Sequence, residues 1–347
     1  MTSYTWTSGK KGSWGTAADW AGGTVANSAT ADVTIAGTGS NVTIGSSNSY
    51  TVDSLTLDSG APQLTIAGTL DFAGATNQLS LQSGLLDITG TLIGATIAQT
   101  GGTLTFIGST WDNITDESPL NLTAASADLY LEGTDAFTGA AGTGPGTINL
   151  TGNGAALYTD DNFALNDATL NFGGAGTSDN IYLASNGGPV QALTLGGSLD
   201  VVQSATDSDD DIDLYSDTGA QATLVNRDTI AAGASGGYFY IYGPSGDTFT
   251  NQGSIIVSNG DIFDISSVAT FSNLKGTTLT GGAYEIGAGS TFQLAANSKI
   301  TTDAASITLS GAGSVIEALN STVGTEISLD SKLASIAATG EIGRAHV

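Results

Sequence analysis

The sequence predicts an all-β protein in which one chain winds into a parallel β-helix, or β-solenoid, behind a tryptophan-rich N-terminal cap. Three observations carry this prediction. Short segments alternate apolar and polar residues, two columns of related segments recur in phase, and no ten-residue stretch has helical periodicity.

The strands come first. "SLTLDS" (54–59), "QLTIAG" (63–68), "TLDFAG" (69–74), "QLSLQS" (78–83) and "TLTFIG" (103–108) each alternate over four to six residues, with Gly, Ser, Asn and Asp between them. Asn153-Gly154 and Asn259-Gly260 are hairpin signals. A meander of hairpins would not, however, make two columns recur in step. Stacked coils would, because each backbone N–H and C=O then finds its partner one coil away, at about 4.8 Å.

The first column is "TLVNRDTI" from Thr223, "TFTNQGSI" from Thr248 and "TFSNLKGT" from Thr270, which places Asn226, Asn251 and Asn273 as a turn ladder. "TFQLAANS" from Thr291 is a fourth copy without the Asn, and "ATLNF" (168–172) and "ALTLGG" (192–197) are degenerate members. The second column takes one aromatic from each of seven segments: Tyr130, Tyr158, Tyr182, Tyr215, Tyr240, Phe263 and Tyr284. In "GGYFYIYG" (236–243), Phe239 and Ile241 point inward, and Tyr240 joins the column between Tyr238 and Tyr242. Coils of about 22–25 residues stack into one elongated, monomeric, cooperative rod. The expected organisation is a cap over 1–35, solenoid coils over 36–340, and a foreign tail over 341–347.

That tail, "EIGRAHV", matches the translation of a sequencing adapter, and it contains the only histidine, His346. Removing it takes away one acid and one base, so the formal charge stays at −26. On this reading the natural chain continues beyond Gly340, with any C-terminal export signal out of view. "MTSYTWTSGKKGSW" has no apolar core for an N-terminal signal peptide, and no apolar run is long enough to span a membrane. Seven basic residues against 33 acidic ones exclude a cationic face for nucleic acid or anionic lipid and favour attraction of divalent cations. Absence of cysteine fits an exported bacterial protein and many cytosolic ones alike.

Trp6, Trp14 and Trp20 crowd the first twenty residues. They either cover the open end of the solenoid, where core and strand edges would be exposed, or offer faces for sugar stacking. Their arrangement, W-T-x-G-x-x-G-x-W-x-x-A-x-x-W-x-x-G before an alternating strand, resembles the start of bacterial β-strand-repeat surface proteins. These include the passenger regions of autotransporter-like adhesins, and rungs such as "TFTNQGSI" resemble the same class. The resemblance implies a right-handed parallel β-helix, secreted or surface-displayed, acting as a structural or adhesive stalk. The contacts it implies are a glycan or a host or cell-surface protein. The chain departs from autotransporters in lacking an N-terminal signal and a visible translocator barrel; an export system reading a C-terminal signal would reconcile this.

The alternative is a polysaccharide-active enzyme on the same fold. With no histidine before 341 and no cysteine, Ser-His-Asp, Cys-His and zinc-type sites are excluded from residues 1–340. Lyases of that fold resemble one another in using Arg or Lys against acidic substrates, and Arg227 is the sole arginine before 341. A hydrolase needs two carboxyl groups, but Glu117, Glu132, Glu285, Glu317 and Glu326 are scattered, which leaves the aspartates. The densest run, "ATDSDDDIDLYSD", offers Asp207, Asp209, Asp211 and Asp213 to Ca²⁺, or is a solvated turn. It is no EF-hand, since Ile212 and Thr218 occupy the places of its Gly and Glu. "GGAGTSDNIYL" (173–183) approaches a calcium nonapeptide, with Asp179 one place late. If outward-facing, Tyr130, Tyr158, Tyr182, Tyr240 and Tyr284 make a stripe for glycan or another rod; otherwise they pack.

Overall fold

Strict alternation puts every second side chain on one face of a strand, and in this chain that face is closed off from water. Leu55 and Leu57, Leu64 and Ile66, Leu70 and Phe72, and Leu79 and Leu81 are all buried, while Thr56, Thr65 and Asp71 between them are partly exposed. The computed structural model describes residues 1–160, 162–174, 177–184, 190–206, 208–214, 221–322, 324–332, 335–336 and 341–345. It shows a parallel β-solenoid. The chain divides into two compact units, residues 1–122 with 127–147, and 123–126 with 148–347. The boundary lies near the glycine-rich stretch "TGAAGTGPG" at 138–146.

In the first unit each coil contributes three strands to three separate sheets. Ala31–Ile35, Asn41–Ile44 and Ser49–Val52 make one such coil; Ser54–Leu57, Gln63–Ile66 and Thr69–Phe72 make the next. Each strand pairs in parallel with its counterpart one coil on, as Asp32 with Ser54, Ser54 with Gln78 and Gln78 with Thr96. Like therefore lies on like. Leu64 sits between Val42 and Leu86, and Leu92 between Leu70 and Trp111. Each Leu so enclosed contributes about 1.5–3 kcal/mol. The corners must be tight. Gly84, at φ +85°, would place a Cβ 1.9 Å from the Pro62 carbonyl oxygen of the preceding coil, so no other residue fits there.

The second unit is built the same way. Its three sheets run through Asn180–Ala184, Asp209–Asp213 and the start of the long strand Tyr238–Asn251; through Val190–Leu195, Gln221–Asn226 and the end of that same strand; and through Leu199–Gln203, Thr229–Ala232 and Ser254–Val257. Phe239, Phe263 and Phe292 stack up the interior, with centroids 5.4 and 5.8 Å apart. Asn259 (φ 58°) and Gly260 (φ 81°) do adopt the left-handed pair expected of Asn-Gly. The strands on either side, Ser254–Val257 and Ile262–Asp264, nevertheless belong to different sheets, so the dipeptide turns a corner rather than closing a hairpin.

Coil length is more variable than the expected 22–25 residues. Gln78 and Thr96 are neighbours, and so are Ala168 and Leu199. Antiparallel pairing is local, as where Thr325–Ser328 folds back on Val315–Asn320. Glu341–Ala345 of the tail pairs with Ser306–Ser310. An open sheet edge accepts extended segments of many sequences, so this placement carries no information about the origin of the tail.

Candidate functional site

Both spacings between the three Thr-[Leu/Phe]-x-Asn segments translate directly into vertical register. Thr223 opposes Thr248 and Asn226 opposes Asn251; Thr248 opposes Thr270 and Phe249 opposes Phe271. The asparagines form a buried ladder. Asn226 Nδ2 donates to Asn251 Oδ1 at 2.9 Å, and the Asn251 N–H donates to Asn273 Oδ1 at 2.7 Å. "ALTLGG" also lies in this column, with Leu195 where the next coil has Asn226. "ATLNF" and "TFQLAANS" do not: Ala168–Phe172 pairs with Leu199–Gln203, and Thr291 follows Ile262.

The tyrosine column is broken. Tyr158 and Tyr182 are register partners with rings stacked at 5.0 Å, but Tyr182 next meets Asp213, and Tyr240 lies two residues off, on Asp211. Phe263 lines the interior beneath Phe239. Tyr284 belongs to another sheet, against Ile255, fully buried and stacked on Phe292 at 5.4 Å. It is a core residue and offers nothing to a ligand. Tyr130 lies half-buried in the first unit, opposite Thr110. Tyr215 lies outside the described residues.

What the second unit presents outward is a chequered face of tyrosine and aspartate. Up one row run Asn180, Asp211, Tyr240 and Asp264; up the next run Tyr158, Tyr182, Asp213 and Tyr242; Asp209 and Tyr238 form a third. Tyr238 and Tyr240 lie flat against one another, 5.3 Å apart and 4° from parallel. Asn180 Nδ2, oriented to donate, reaches both Asp211 carboxylate oxygens at 3.0 and 2.6 Å. Burial, then Asp213 and Asp210, push the Asp211 carboxyl up to about 7. Burial, then Asp209, Tyr238 and Asp264, push the Tyr240 phenol up to about 12. The face carries concentrated negative charge between aromatic rings.

The aspartate run is therefore a strand, Asp209–Asp213, and not a solvated turn. Asp207 lies outside the described residues. Asp209, Asp211 and Asp213 share one face at alternate positions, about 7 Å apart along the strand, whereas Ca²⁺ gathers its oxygens at about 2.3–2.6 Å from one centre. Among the described residues no three carboxylates are grouped to hold a metal. Millimolar Ca²⁺ is expected to leave the melting temperature unchanged, which differential scanning fluorimetry checks directly; a rise of several degrees would restore a calcium site.

Trp6, Trp14 and Trp20 are all buried, with Trp20 meeting Trp6 at 5.1 Å and Trp14 at 5.0 Å, both edge to face. Their indole N–H groups donate to the carbonyls of Lys10, Ala26 and Trp14. No indole face is free for a sugar, and the cluster packs as a cap would.

One set of polar residues escapes the pattern reading. Aspartates at coil corners turn inward and accept a backbone N–H from the preceding coil. Asp135 takes that of Ile114 at 2.6 Å, Asp179 that of Ala155 at 2.9 Å, Asp247 that of Ala222 at 2.8 Å and Asp261 that of Ala234 at 2.9 Å. All four are buried. Burial dominates their chemistry, raising Asp135 to about 8 and Asp179 and Asp261 to about 6 despite those hydrogen bonds. A sequence signal exists. Each stands two residues before an inward apolar side chain: Phe137, Ile181, Phe249 and Phe263.

Depressions lined by described residues include two. One, of about 520 Å³, is lined by Lys299, Ile300, Leu319, Ile327, Leu329 and Lys332 among others; the second, of about 260 Å³, lies around Lys11, Asn41 and Gln63. Neither has a carboxylate in its lining. The chain matches no protein-family model, no curated protein and no solved structure. No helix among the described residues is long and apolar enough to cross a membrane.

Proposed function

We propose that this chain is a non-enzymatic structural and adhesive region of a secreted or surface-displayed bacterial repeat protein. The observation that carries this reading is the disposition of its carboxyl groups. A glycoside hydrolase sets two of them about 5–9.5 Å apart across a groove, one with a raised pKa. Among the aspartates raised to about 7 or above, Asp211 lies on an outward sheet face, on the same strand as Asp209 and Asp213, and neither depression described above has a carboxylate in its lining, while Asp116 and Asp135 are buried in the coils and accept backbone N–H groups. Sites so enclosed cannot reach a polysaccharide. The outward sheet faces, by contrast, offer broad and regular surfaces for contact.

The test is incubation with a panel of neutral and acidic polysaccharides, with new reducing ends and unsaturated products both measured. No release above buffer is expected. Release that disappears on replacing a surface aspartate pair would establish an enzyme and remove the stalk reading.

A further inference from the structure

We propose that the tyrosine–aspartate face of the second unit docks an extended, arginine-rich peptide segment of a partner. Charge complementarity argues for a cationic occupant. Asp209, Asp211 and Asp264 stand on this face, and among the described side chains no lysine or arginine pairs with any of them; the Lys10–Asp19 ion pair is in the first unit. The rings argue for the kind of cation. Tyr238 and Tyr240 are partly exposed and Tyr242 is 45% exposed, so that flat faces alternate with carboxylates. A guanidinium is planar, stacks on such rings and pairs with a carboxylate through two N–H groups, which an ammonium cannot do as well.

Spacing argues for an extended peptide. Same-side residues of a strand recur about every 6.8 Å, the same interval that separates Asp209 from Asp211 and Asp211 from Asp213. Side chains on one edge of an extended basic segment therefore meet successive carboxylates without stretching. Neighbouring rows, about 4.8 Å away, supply the rings between them. Asn180 holds the Asp211 carboxylate in place, which limits the ordering needed on binding.

The inference rests on the adhesive reading above and names its partner chemistry. Its failure is distinguishable, because peptide binding and polysaccharide cleavage are separate measurements. The experiment uses the full chain with fluorescent nona-arginine and nona-lysine peptides, followed by anisotropy, beside a neutral glycan array. Nona-arginine is expected to bind more tightly than nona-lysine and to weaken about tenfold between about 50 and about 500 mM salt. The double variant Asp209→Asn/Asp211→Asn should weaken it about tenfold, and Tyr240→Thr about threefold to tenfold. A double variant of equal charge change in the first unit, Asp58→Asn/Asp71→Asn, should change it less than about twofold. Melting curves identify any variant that fails to fold; the milder Tyr240→Leu, which keeps bulk but removes the ring, then replaces Tyr240→Thr. Equal losses from both double variants would reduce the effect to net charge and overturn the proposal. Absence of peptide binding, or binding of glycans in its place, would overturn it too.

Discussion

Lowering the pH from about 8 to about 5.5 should raise the melting temperature of this protein, the reverse of ordinary acid destabilisation. The cause is the set of inward aspartates. Asp135 is pushed up to about 8 and Asp116 to about 7, in each case by burial first; Asp112 and Glu132 add to it at Asp135, and Glu117 at Asp116. Asp179 and Asp261 follow at about 6. An unfolded aspartate titrates near about 3.9. Between that value and the folded one, the native state binds more protons than the unfolded state, so stability falls as pH rises through the window and is recovered on acidification. Each tenfold difference in proton affinity between the folded and unfolded chain corresponds to about 1.4 kcal/mol, so several such groups amount to several kcal/mol. Relief of repulsion in a chain of charge −26 acts in the same direction, but about 0.5 M salt screens it and leaves the buried groups untouched. Asp135→Asn separates the two further. Its amide oxygen still accepts the Ile114 N–H, and its charge is gone. The variant should gain about 1–3 kcal/mol at pH about 8, little at pH about 5.5, and have a flatter pH profile. A melting temperature that falls steadily on acidification at high salt would refute this account of the corners.

These corner groups also show what was legible in the sequence and what was not. Alternation fixes which residues face inward, so Phe239 and Ile241, and the strands from Ser54 to Leu81, follow from pattern alone. The Thr-x-x-Asn spacing likewise yields the register of Thr223, Thr248 and Thr270. Sheet membership does not follow, because it depends on how many residues each corner consumes. Between Asn273 and Ala283 the chain inserts the Leu274–Lys275 pairing with Thr278 and Leu279, and the register slips between Thr280 and Ala283. That excursion moves "AYEIGAG" to the sheet of Ile255 and leaves "TFQLAANS" to follow Phe263, so each segment falls one sheet short of the column expected of it. Aspartate is ambiguous for a related reason. Asp58 and Asp135 both follow apolar-rich strands, but only Asp135 stands where an inward-facing position coincides with a free N–H of the adjacent coil.

Replacing Asn273 by alanine should cost about 3–5 kcal/mol, far more than a typical polar-to-alanine change. The side chain is 5% exposed and holds three backbone groups. Its Oδ1 accepts the Asn251 N–H at 2.7 Å, while its Nδ2 donates to the carbonyls of Asn251 at 2.8 Å and Thr280 at 2.7 Å. It thus saturates both main-chain groups of the asparagine one coil earlier, beside the chain excursion that follows. Alanine would leave those groups buried with no partner, each at about 1–3 kcal/mol, with some relief if water enters. Asn273→Asp tests the geometry more sharply. It keeps the acceptor for Asn251 N–H but sets a carboxylate oxygen against two carbonyls, so it should be at least as damaging near neutral pH and partly rescued by acid. Asn41→Ala supplies the comparison, since Asn41 donates only to the exposed Gln63 amide at 2.8 Å and should cost less than about 1 kcal/mol. Urea melts of the three variants, with hydrogen exchange at Asn251 and its neighbours, give the ordering. If Asn273→Ala is no worse than Asn41→Ala, the asparagine ladder is a passenger of the coil rather than one of the contacts that hold successive coils in register.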